Sequence, residues 1–211
     1  MKNPTIAVLE NAFVRLEPLA QSHRAALAAL AEDPVRWELG PMDEHGGPFA
    51  AWAERWFDEA EAQHKAGTQV VFVVRDVASG RVAGSTRYLN LEPKHGRPEI
   101  GSTFYAPFAR RSWVNPACKR LLLAHAFEDL GAFRVELKCD ARNVRSRLAI
   151  AGIGAKEEGT LRRHMVLGDG HVRDTVYFSV LDHEWPAVKT SLDERLATAR
   201  APAVAPARDS S

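Results

Sequence analysis

Apolar and polar positions along this chain follow two periods in turn. Residues Phe13 to Leu19 (FVRLEPL) alternate as a half-buried strand does. A first helix is predicted from Gln21 to Glu32, with Leu27 and Leu30 set among alanines and a stop before Pro34. From Phe49 to Ala66 the residues Phe49, Trp52, Ala53, Trp56, Phe57 and Ala60 recur at helical spacing, and Gly67 ends that helix. A β-meander follows through Gln69 to Asp76, Arg81 to Leu91 and Glu99 to Tyr105, with its first turn at Ser79 and Gly80. The aromatic residues of the second helix are predicted to pack on this meander as core.

The stretch Phe108 to Gly131 (FARRSWVNPACKRLLLAHAFEDLG) runs from a strand end through a basic loop into a helix. Asn115 is a favoured N-cap and Pro116 then occupies the first helical position, so the spacing predicts a helix beginning at Asn115, with Leu121, Leu122 and Phe127 on its apolar face. A helix N-terminus presents unpaired N–H groups and about half a positive charge, which suits phosphate; Arg110 and Arg111 stand just before it. Residues Arg134 to Asp140 alternate as a strand, with Val135, Leu137 and Cys139 inward. Asn143 then caps a short helix that contains Ser146 and closes at Gly154. Ala155 to Met165 and Val172 to Leu181 form a hairpin joined through Asp169 and Gly170, and a last helix runs from Pro186 to Leu196. The total is seven strands in one domain, residues 1–196, and the Ala- and Pro-rich stretch 197–211 is expected to be disordered.

Composition narrows the function. The chain has 211 residues, 45% of them hydrophobic, with 28 Lys and Arg against 27 Asp and Glu. Near-neutral charge gives no bulk field toward nucleic acid or anionic lipid, so neither is expected as a partner, although Arg110, Arg111, Lys119 and Arg120 are a candidate local basic patch. No apolar run is long enough for a signal peptide or a membrane span. Cys118 and Cys139, the two cysteines, form no CxxC and read as small core residues, no HExxH occurs, and a cytoplasmic setting without a metal is expected.

The succession of strand, loop with Arg110, helix, strand, N-x-x-S helix and G-A-x-x-E-G resembles motifs A and B of the GNAT acetyltransferases, and is most similar to their RimJ/RimL-like branch. Asn143 with Ser146 is the most specific match, supported by Glu157-Glu158-Gly159, by Arg173-Asp174 with Tyr177, and by Glu184-Trp185-Pro186 near the end. The resemblance implies an α+β fold in three layers, a mixed and mostly antiparallel sheet splayed in the middle and flanked by helices, with coenzyme A in the wedge. It implies acetyl-CoA as cosubstrate and an amine, either a protein N-terminus or a small molecule, as acceptor, attacked directly in a ternary complex. A homodimer is left open, and a non-catalytic acyl-CoA-binding regulator is the alternative on the same fold.

Site residues carried over from the resemblance divide into two groups. The pyrophosphate loop falls on Arg110, Arg111, Ser112, Trp113, Val114 and Asn115, whose N–H groups and guanidinium groups would face the cosubstrate. Trp113 stands where the family usually has glycine, which requires a negative φ and an indole turned away from the ligand. Asn143 and Ser146 complete the cofactor set, with Ser146 also expected at the sulfur of coenzyme A. Glu99 resembles the glutamate that this branch directs to the active site, and it is the expected general base. Tyr177 reads first as a core aromatic, and Arg142, Arg145 and Arg147 as either 3′-phosphate ligands or a solvated face.

Overall fold

The structure is a computed structural model that describes residues 1–4, 7–30, 49–167 and 170–200. Its elements in chain order are β1 (Leu9–Glu10), β2 (Val14–Pro18), α1 (Arg24–Leu30), α2 (Phe49–Lys65), β3 (Val70–Asp76), β4 (Val82–Glu92), β5 (Arg97–Tyr105), α3 (Val114–Ala124), β6 (Arg134–Asp140), α4 (Val144–Ala151), β7 (Lys156–Val166), β8 (Val172–Leu181) and α5 (Trp185–Arg200). Eight strands form one sheet in the order β1-β2-β3-β4-β5-β6-β8-β7. The added strand is β1, a two-residue edge piece that sequence periodicity is too short to register.

Strand β3 shows why the protein needs three layers. All five residues from Val70 to Val74 are buried, so successive side chains must be covered on opposite faces. Val70, Phe72 and Val74 join the core beneath α3 and α5, together with Leu122, Leu123, Val135, Trp185 and Leu192. Val71 and Val73 face the other way, onto Ala53, Trp56, Phe57 and Ala60 of α2 and onto Leu27 of α1. The α2 side chains that are described thus pack as expected; those of Phe49 and Trp52, with the predicted continuation of α1 to Glu32, lie outside the described residues. Gln21–His23 form a 3₁₀ turn ahead of α1, so the first helix is shorter at its start than its pattern suggested.

Every neighbouring pair is antiparallel except β5 and β6, which run parallel and share one register pair, Glu99 with Glu136. Beyond that point the strands part. β5 also carries a bulge: its register against β4 shifts between Ser85 and Arg87, opposite Ser102, which has φ of 46°. As a result Ile100 packs under α3 whereas Phe104 packs on Trp56 of α2, with ring centroids 5.1 Å apart.

Two boundaries are corrected. Helix α3 begins at Val114 with Trp113 as its cap residue, not at Asn115, and Pro116 sits inside the first turn, where a missing N–H still costs no intrahelical bond. Helix α5 continues past Leu196 to Arg200, so residues 197–200 are helical and not part of a disordered tail. Alanine and arginine there are strong helix formers, and Thr198 Oγ1 returns a hydrogen bond to the Arg195 carbonyl at 2.7 Å. Residues 201–211 lie outside the described set, as does Asp169 of the predicted hairpin turn.

Gly84 fixes how closely β4 and β5 approach beside the bulge. Its φ is 153°, and a Cβ there would stand 2.0 Å from the Phe104 carbonyl oxygen. Gly84→Ala is therefore expected to lower the unfolding free energy by about 3 kcal/mol or more, as measured by urea denaturation.

Candidate active site

Parting of β5 from β6 opens a cleft of about 1010 Å³. Each of the two strands leads directly into a helix, β5 into α3 and β6 into α4, and both helices start at this cleft. Of the residues singled out from sequence, Glu99, Arg110, Arg111, Ser112, Asn115, Asn143 and Ser146 all line it. Trp113 and Val114 do not.

The loop before α3 is held by its own side chains. Ser112 Oγ donates to the Ala109 carbonyl at 2.6 Å and accepts from the Val114 N–H at 3.2 Å. The Val114 N–H is thus engaged within the loop, and its side chain is buried in the core. Trp113 has φ of −76°, is 37% exposed and is not among the residues that line the cleft. Arg111 takes the positive φ instead, at 55°. Arg110 Nε donates to the Tyr105 carbonyl at 3.1 Å, which ties the loop to the end of β5. Asn115 does not cap the helix, because its Oδ1 accepts from the Tyr105 hydroxyl at 3.2 Å.

On the opposite wall, Asn143 caps α4 as expected: its Oδ1 accepts from the Ser146 N–H at 2.9 Å. The Ser146 side chain meets Cys139; burial pushes that thiol up, and the Ser146 hydroxyl acts in the opposite sense. Arg142 is folded back on Asp140 and Arg147 pairs with Glu157, which leaves Arg145 as the arginine of that trio on the cleft wall.

Glu99 is 2% exposed, at the one place where β5 and β6 are paired. Its Oε2 accepts from Asn90 Nδ2 at 2.7 Å and meets Lys138 Nζ at 3.0 Å. Its Oε1 takes no hydrogen bond from any described residue. A buried carboxylate that is charge-balanced on one oxygen and open on the other is a ready acceptor for a proton or an ammonium group. Tyr177 lies off the cleft, edge-on to His164 at 5.7 Å between ring centroids.

Sequence reading passed over Asn90, Lys138, Tyr105, Thr103 and, as a cleft residue, Lys119. Alternation along β6 puts Lys138 on the outward face, and in the sequence Lys119 stands out only as part of a basic patch. That patch does not exist as one surface, since Lys119 is buried and Arg120 is bound to Asp193 at 2.7 Å. Among the described residues no helix is long and apolar enough to cross a membrane.

Residues 14–156 match the family described as the acetyltransferase (GNAT) domain. A GCN5-related N-acetyltransferase from Brucella melitensis is similar in structure with a TM-score of 0.82 and 35% identity, covering 91% of this chain and 86% of that one. A curated Bacillus subtilis (strain 168) protein, named "Putative ribosomal N-acetyltransferase YdaF", is 32% identical over 110 residues, 52% of this chain and 59% of that relative. Mycobacterium smegmatis RimJ, whose structure holds CoA-disulfide, shares the fold at a TM-score of 0.73 and 22% identity over 94% of this chain and 96% of that one.

The cap on α4 yields a direct test. Asn143→Ala should cost about 1 kcal/mol of unfolding free energy in urea, whereas Asn143→Asp, which keeps the acceptor oxygen, should retain most of it. The sheet that opens at one parallel pair, the two helix starts that face the opening and the family match over most of the chain lead to one assignment: this chain belongs to the GNAT acetyltransferase family.

Proposed function

We propose that the protein transfers the acetyl group of acetyl-CoA to a primary amine by direct attack within a ternary complex. GNAT acetyltransferases draw on acetyl-CoA, and the cleft suits it: a helix start with Arg110 and Arg111 on one wall, Asn143 and Ser146 on the other, and a bulged strand between. When bound, acetyl-CoA supplies an activated thioester carbonyl and a thiolate leaving group. The observation that carries the reading is Glu99, buried where the strands meet with Oε1 open to the cleft.

In this reading Glu99 takes the proton of the attacking amine, directly or through water, while Asn90 and Lys138 hold its other oxygen. Ser146, at the first turn of α4, donates to the sulfur as negative charge develops there. Donors at the start of α3 and the adjoining arginines hold the diphosphate. The acceptor enters along the wall formed by α2 and β4, where Trp56, Gln63 and Gln69 line the cleft. The printed name of the Bacillus subtilis relative makes protein N-termini the first acceptors to try, alongside free amino acids and polyamines.

The reading is tested by incubating the protein with acetyl-CoA and such an acceptor panel while following free thiol. Acceptor-dependent thiol release supports it; tight acetyl-CoA binding with no release for any amine would leave only a binding protein. Glu99→Gln should slow acetylation strongly near neutral pH and recover as pH rises toward the amine's pKa. The deficit should be larger for a lysine-like amine, about 0.04% neutral at pH 7, than for an α-amine, about 15% neutral. An unchanged pH–rate profile with a raised acceptor KM would make Glu99 an ammonium-binding residue instead. Ser146→Ala should lower kcat by more than it weakens acetyl-CoA binding, because the charge on sulfur exists only on the way to products; parallel losses in rate and stability would point to the helix start alone.

A further inference from the structure

One buried cation in the cleft has no part in the proposed reaction. Lys119 is 5% exposed and lines the cleft from the second turn of α3. Its ammonium donates one hydrogen bond, to Thr103 Oγ1 on β5 at 3.0 Å, and that hydroxyl meets Thr86 Oγ1 on β4 at 2.8 Å. An ammonium group carries three N–H donors. The other two have no acceptor among the described residues, and no described carboxylate lies within ion-pair distance. Burying a cation with only a neutral hydroxyl beside it is costly. A lysine kept in such a place is poised for an anion that arrives from outside.

Geometry indicates which anion. Tyr105 of β5 is bonded to Asn115 of α3, and Thr103 of β5 is bonded to Lys119, so strand and helix lie side by side with Lys119 one turn deeper than the loop. One turn is a rise of about 5.4 Å, within the reach of a lysine side chain from a group seated at Ser112 and Asn115. We propose that Lys119 is an anion-binding residue of the cleft, which leaves Thr103 to neutralise the diphosphate of acetyl-CoA held at the start of α3. The proposal rests on the reading that this cleft takes acetyl-CoA.

A coupling between binding and protonation follows. Burial pushes the Lys119 ammonium down to about 8, with Cys118 acting in the opposite sense; the Cys118 thiol is itself pushed up to about 12 by burial. The other ionisable groups on elements around Lys119 are Glu99 and Tyr105 on β5, Arg87 on β4, Arg110 and Arg111 in the loop, Arg145 on α4, and Asp193 on α5, which holds Arg120. A bound diphosphate favours the charged ammonium and raises its pKa, so above pH 8 binding takes up a proton that the free protein has lost. The diphosphate bridge has no proton left to lose in this range, and the 3′-phosphate, a monoester with a second pKa near 6, is fully ionised there as well.

Calorimetric titration of acetyl-CoA at pH 7 and pH 9, in buffers of different ionisation enthalpy, reads this directly. The wild type should take up close to one proton at pH 9 and far less at pH 7. Lys119→Met should take up none and bind acetyl-CoA roughly 10- to 100-fold more weakly at pH 7. The loss should persist with acetyl-3′-dephospho-CoA, which keeps the diphosphate, and vanish with S-acetylpantetheine, which has none. Proton uptake that survives in Lys119→Met, or an equal loss for S-acetylpantetheine, overturns the proposal. Should Lys119→Met fail to fold, the wild type decides alone: no proton uptake at pH 9 removes Lys119 from the diphosphate. A wild type that binds no acetyl-CoA at all would sink the acetyltransferase reading of the cleft as well, a result distinct from tight binding without proton uptake.

Discussion

The opening of the sheet between β5 and β6 is the constraint on which the rest depends. Six of the seven neighbouring strand pairs are antiparallel, but these two strands run parallel and meet only at Glu99 and Glu136. Parallel neighbours are joined through a crossover, and here the crossover is α3. Once the strands diverge, two inner edges with unpaired backbone groups are exposed to one cleft, and an edge of that kind seeks a partner. The bulge at Ser102 turns β5 further away and reverses which faces Ile100 and Phe104 present. Because α3 follows β5 and α4 follows β6, the same divergence aims both helix starts into the opening.

Electrostatics of the cleft follow from that geometry and not from the chain as a whole. A formal net charge of +1 gives no hint of the local field. Within the opening, Arg110 and Arg111 stand at the start of α3, Lys119 lies one turn deeper and Arg145 sits on the α4 wall, whereas the carboxylate of Glu99 stands at the apex with Lys138 on one oxygen. Positive charge at the mouth and a balanced carboxylate at the meeting point suit a long anionic cosubstrate whose reactive end must be uncharged.

Local chemistry was legible in the sequence wherever one element carried it. Alternation located β2 and β6, and Asn143 three residues before Ser146 announced a cap that is present. Asn115 followed by Pro116 gave the same kind of signal and was misread, because its side chain is claimed by Tyr105, a contact made across the loop and not along the helix. Positive φ at Ser102 and Arg111 left no trace, since neither is glycine or asparagine. Lys119 and Lys138 looked like polar positions on amphipathic elements; only the placement of α3 on β5 and of β6 beside β5 turns them into cleft residues.

Why the acceptor stayed out of reach has the same cause. The wall proposed for the cosubstrate is built from segments contiguous in sequence, 99–119 and 139–150, so its residues appear as motifs. The other wall draws Trp56 and Gln63 from α2, Gln69 from the turn before β3 and Arg87 from β4, whose guanidinium stacks 5.0 Å over Trp56 and donates to Gln69 at 2.9 Å. No spacing links those positions, because the fold alone brings them together. Substitutions on that wall change what is presented to Glu99 without touching the loop before α3 or the cap on α4. A cleft with one wall built from motifs and one from dispersed positions can keep a single acyl donor while its acceptor changes, and for that reason the donor is readable from this sequence and the acceptor has to be found by assay.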